Sequence, residues 1–141
     1  MRFLLCTYVL LYRAMACPHF YPVARFETSP WSVPPRLPLG DAFSGECRAP
    51  GSSAQPDETH VREICNFGYG RDRCGHFPPE SAADAIRFHV AKEAGELIEI
   101  QYVFEKDCWP GEHGTVPKSA CATLQRQADA FLESYRRRSQ A

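Results

Sequence analysis

Two stretches in the second half of the chain alternate apolar and polar residues with a period of two. Ile86, Phe88 and Val90 alternate with Arg87 and His89. Ile98, Ile100, Tyr102 and Phe104 alternate with Glu99, Gln101 and Glu105. A period of two places each apolar set on one face of a strand. Lys92-Glu93-Ala94-Gly95-Glu96 joins them, so the pattern predicts a β-hairpin over about 84–91 and 97–105. A lone hairpin is marginal in water and needs a cover for its apolar face. The C-terminal segment offers one. From about 118 to 138 the spacing turns helical, with Cys121, Leu124, Ala128, Phe131, Leu132 and Tyr135 on one stripe. A helix laid on a hairpin gives a small α+β core.

Ahead of the hairpin a short helix is expected. Asp57 is placed to cap it, and Val61, Ile64 and Cys65 fall on one face. It stops at Asn66-Phe67-Gly68-Tyr69-Gly70, and a tight loop from Arg71 to Pro79 follows. Residues 17–56 show no period. Eight prolines, from Pro18 to Pro56, interrupt any helix longer than a turn or two. The same stretch carries Phe20, Tyr21, Phe26, Trp31, Leu37, Leu39 and Phe43. It therefore reads as an ordered but irregular proline-rich wrap.

Residues 1–16 stand apart as a leader or a mis-called N-terminal extension, leaving 17–141 as one small domain. Arg2, an apolar run from Phe3 to Tyr12 and Ala14-Met15-Ala16 resemble a secretory signal peptide. The run is shorter than the roughly 20 residues a membrane span needs. Arg13 interrupts the signal pattern before the cleavage site. A start at Met15 is the plainer alternative and places the protein in the cytoplasm; export would make it secreted and turn the cysteines toward disulfides.

The chain has 141 residues and a net charge of -1, so no global field draws it to nucleic acid. Arg136-Arg137-Arg138 is local, and complements the dipole at a helix C-terminus. Seven cysteines change the picture more. Cys17, Cys47, Cys65 and Cys74 each flank a turn-former or a helix end, where backbone can bend toward a common centre. They are read as one four-thiolate metal site. No Cys-x₂₋₄-Cys pair of the kind usual in structural zinc sites occurs among them. A dispersed set pinning a wrap to a core suits a [4Fe–4S] cluster better than zinc, which is the alternative; two disulfides, or unlinked core thiols, are the others. Cys6 leaves with the leader, and Cys121 belongs to the helix stripe and the core.

Cys17-Pro18-x-Phe20, Pro35-Arg36-Leu37-Pro38-Leu39-Gly40-Asp41 and Gly45-x-Cys47 resemble the opening of a group of uncharacterised bacterial proteins with a dispersed four-cysteine pattern. The likeness continues through Cys65-Asn66-x-Gly68-Tyr69, Cys74-x-x-Phe77-Pro78, Asp84-Ala85-x-Arg87-Phe88 and Glu112-His113-Gly114. The resemblance implies no activity. It does imply a start near Met15.

Other chemistry is thinner. The segment from Glu105 to Gly114 holds Asp107, Cys108, Glu112 and His113, a conceivable Cys/His nucleophile pair or metal set, set against ordinary loop polarity. His19 and His76 each lie two residues from a site cysteine and could be outer donors or replacement ligands; surface imidazoles are the ordinary reading. No phosphate-cradling loop or zinc-protease helix motif is present. The expectation is a small metal-binding protein, structural or electron-transferring, with a redox partner, no nucleic acid and no membrane span.

Overall fold

The computed structural model describes residues 16–26, 39–52, 55–116 and 121–139. The leader segment up to residue 15, with Cys6, and the proline-rich stretch 27–38, with Trp31, lie outside them.

The fold class is α+β, built on two antiparallel sheets. The first is a ribbon of β1 (Phe20–Arg25) and β2 (Phe43–Cys47), with Phe20 opposite Cys47 and Arg25 opposite Phe43. This ribbon corrects the expectation of an irregular wrap. Pro22 lacks an N–H, and the register slips between Pro22 and Ala24. A two-stranded ribbon tolerates both, because each strand has a free edge. Gly45 makes the pairing possible: a Cβ there would sit 2.2 Å from the Tyr21 carbonyl and 2.6 Å from the Phe20 ring. Phe20 and Phe43 are each 1% exposed and anchor the ribbon to the core.

The second sheet has the order β3 (Ala85–Ala94), β4 (Leu97–Lys106) and β5 (Trp109–Thr115). The expected hairpin is its first pair, with Phe88 opposite Tyr102 and Val90 opposite Ile100. β5 occupies the segment expected to be a loop. Asp107 and Cys108 turn the chain with positive φ, and Trp109 pairs with Lys106.

Between the sheets lies α1 (Glu58–His60), which widens into a π-helical turn over Val61–Cys65. Asp57 caps it by accepting the His60 backbone N–H at 2.8 Å. Val61, Ile64 and Cys65 are buried, on the expected face. Gly68 then takes positive φ, and so does Tyr69.

The last element, α2 (Ala122–Ser139), covers the core. Leu124 and Ala128 join Phe88 and Ile100 in the apolar cluster, and the Phe131 ring lies 5.8 Å from that of Phe88. The helix also reaches the ribbon through polar side chains. Gln127 donates to the carbonyls of Cys17 and Phe20, and Arg126 to those of Pro22 and Val23. Cys121 precedes the helix and is exposed, which corrects its placement in the core. Arg137 and Arg138 pair with Asp41, and Arg138 also donates to the Gly40 carbonyl, so the basic run holds the turn before β2. Among the described residues no helix is long and apolar enough to cross a membrane.

Candidate four-thiol site

Each of the four cysteines is placed by a different local device. Cys17 follows Ala16, which is fully buried and exchanges two backbone hydrogen bonds with Ile86, at 3.0 and 2.9 Å. The Cys17 N–H then donates to the Cys65 carbonyl at 2.9 Å, which ties two site residues through their backbones. Cys47 ends β2 opposite Phe20.

Cys65 ends the π-helical turn and is buried. The next residue, Asn66, is 1% exposed and fully used. Its amide accepts from the Phe43 N–H at 3.2 Å and donates to the carbonyls of Phe43 and Val61 at 3.0 and 2.9 Å. One side chain thereby locks the ribbon to the turn that carries Cys65. Burial of an amide in this way is favourable only because every polar atom finds a partner.

Cys74 sits on the tight loop, where its N–H donates to the Gly70 carbonyl at 2.7 Å. A Cβ on Gly70 would lie 2.8 Å from the Ile64 side chain, so only glycine lets the loop close against the helical turn. Arg71 holds the far side of the loop. It pairs with Asp84 at 2.6 Å, donates to the carbonyls of Pro79 and Ser81, and stacks over Phe77.

These devices bring Cys17, Cys47, Cys65 and Cys74 to the wall of one narrow cavity. Phe20, Ile64, Phe77 and Ala49 supply apolar surface around it, and His19, His60 and His76 complete the lining. The thiols feel one another. Burial pushes Cys17 up to about 12; the backbone of His19 eases that rise, and Cys47 and Cys74 add to it. Cys65 is pushed up by burial first, then by Cys17, Cys74 and Cys47. Each thiolate formed here opposes the next, so joint ionisation calls for a compensating positive centre. Among the described residues no three His, Cys, Asp or Glu side chains are set as ligands around a metal ion. That holds for the thiols as they stand and for Asp107, Glu112 and His113.

The histidines divide. The Nε2 of His19 is taken by the Ser81 hydroxyl at 3.0 Å, and His76 is exposed. His60 is the one described with a sulfur contact, its Nε2 lying 3.2 Å from Cys74 Sγ. Sequence reasoning weighed His19 and His76 and missed His60, which lies far from Cys74 along the chain and meets it only through the fold. The loop alternative for chemistry is not assembled: Cys108 is not a free thiol, and His113 bonds the Gly111 carbonyl.

No protein-family model, curated protein or solved structure matches the chain.

Proposed function

We propose that this is a small metal-binding protein in which Cys17, Cys47, Cys65 and Cys74 hold an iron–sulfur cluster of the [4Fe–4S] type, in a structural or electron-transferring role. The observation that carries the reading is the convergence of these four cysteines, and no others among the described residues, on one apolar-walled cavity. Thiolate is the ligand such clusters take. The donor set fits: four soft sulfurs, mutually repelling once ionised, surrounded by aromatic and aliphatic side chains that would keep water away.

Zinc is the second reading, since four thiolates also suit it. The contrast is geometric. A zinc ion draws its sulfurs to about 2.3 Å from one point, whereas a cluster is bound at its corners and its thiolates stand around a body. The two readings share the same four thiols, and metal content per chain separates them.

When bound, the cluster supplies a one-electron store whose potential depends on surrounding charge and hydrogen bonds. The chain's own contribution is to fix the ligands. Asn66 registers Cys47 and Cys65 together, Gln127 holds the Cys17 carbonyl, and Arg71 braces the loop of Cys74. The reading needs the four site thiols reduced, as a cytoplasmic protein keeps them, although Cys108 is held in a disulfide, and gives the protein a redox partner if the cluster transfers electrons. The bacterial group that the sequence resembles belongs to the same proposal.

Anaerobic expression followed by absorption spectroscopy with iron and sulfide analysis tests it. A brown protein with about four irons per chain is expected, and Cys65→Ser should lose most of that iron. Colourless protein with one zinc per chain would replace the cluster by zinc. Metal-free protein lacking free thiols would overturn both.

A further inference from the structure

His60 ends α1, and its backbone is fixed by the Asp57 cap. Its ring reaches across to a different element, where Nε2 lies 3.2 Å from the sulfur of Cys74 on the tight loop. In a metal-free protein that contact could run either way, as N–H···S or as S–H···N. A sulfur that binds iron has no proton to give and can only accept. On the cluster reading, therefore, Nε2 carries the hydrogen and His60 is the donor.

We infer that His60 is a positioning residue that sets the reduction potential of the four-thiol site by donating a hydrogen bond to Cys74. The inference rests on the cluster reading and deepens it. The physical reason is charge. Reduction adds an electron to an already anionic group, and a donor aimed at one of its sulfurs stabilises the more negative state more strongly. The donor therefore raises the potential. The other histidines at the cavity do not share this role, because His19 gives its Nε2 to Ser81 and His76 is exposed.

The test compares iron-loaded wild-type protein with His60→Ala and His60→Gln, prepared without oxygen. Iron per chain and reduction potential are measured at one pH by spectroelectrochemistry. The expected result is full iron in all three, a lower potential for His60→Ala, and a potential near wild type for His60→Gln, which keeps an N–H of similar reach. An unchanged potential in fully loaded His60→Ala overturns the inference and leaves the cluster standing. An equal drop in both variants overturns it too, since the donor would not be what matters. Loss of iron from both variants would make His60 part of what holds the group, and also overturns the donor role. Wild-type protein that takes up no iron fails at the first step and overturns the cluster reading together with this one.

Discussion

Tyr69 adopts a left-handed backbone, with φ of 55°, a conformation uncommon for a residue this large. What it gains is a tie across the molecule. Its hydroxyl donates to the buried carboxylate of Glu105 at 2.9 Å and accepts the Cys108 N–H at 3.0 Å. Burial, and after it the Glu105 charge, push the phenol well above its ordinary value of 10.0. The sign follows from where the proton sits. Below pH 10 the folded and unfolded chains both keep it. Above pH 10 the unfolded tyrosine loses it while the folded one does not, so stability falls as pH rises. Tyr69→Phe should cost roughly 1–3 kcal/mol at neutral pH, because two polar groups lose their partner. It should also flatten the loss of stability above pH 10. Urea unfolding of both proteins at pH 8 and pH 11 measures both effects. At this scale the sequence was partly readable. The four site cysteines stood out because each flanks a turn, and Cys108 and Cys121 could be separated from them. The glycines of the segment after α1 were visible, but not that Tyr69 would share the positive φ, since its bonds to Glu105 and to the Cys108 N–H form only in the fold. Cys121 misled because its spacing matches the helix stripe, although it lies one residue before the helix begins.

At the scale of elements, the ribbon of β1 and β2 carries Cys47 and stands on Gly45. Gly45→Ala forces a methyl group against the Tyr21 carbonyl and the Phe20 ring, neither of which can yield in a packed core. A cost of about 1–3 kcal/mol is expected from overpacking, with less iron retained per chain because Cys47 follows two residues later. Denaturant midpoint and iron analysis on the same preparation would show both; unchanged values in the two measurements would contradict the packing described here. The elements differ in how far the sequence exposed them. β4 was legible almost to the residue and β3 at its start, since one face is packed and the other wet, but β3 runs on through Lys92, Glu93 and Ala94, which had read as part of the join. α2 was legible as a stripe, although Gln127 and Ser134 are as buried as its apolar residues and a hydrophobic pattern does not find them. β1, β2 and β5 were not legible. β1 contains Pro22, β2 contains Gly45, and β5 contains Pro110 with two glycines. Their pairing comes from partners brought alongside, which overrides weak local preference.

For the whole molecule, the site draws on four separate places in the chain: the lead-in to β1, the end of β2, the end of the helical turn and the loop beyond it. On the cluster reading, ligands so dispersed would couple binding to folding, because the unfolded chain has no comparable site. Removing iron from loaded protein with a chelator should therefore lower the melting temperature by about 5 °C or more, as for a ligand held well above its dissociation constant. Calorimetry before and after chelation measures the difference, and coincident transitions would mean that the four thiols hold nothing that matters to the fold. The Ala16 bridge to Ile86 and the bond from Gln127 to the Cys17 carbonyl have a consequence for synthesis. Cys17 leaves the ribosome first among the four, yet two of the residues that hold its segment, Ile86 and Gln127, follow the last of them. A nascent chain exposing all four thiols still lacks the strand and the helix that hold Cys17 in place. On the cluster reading, iron is loaded into a finished chain, and until then the thiols depend on a reducing environment to stay open.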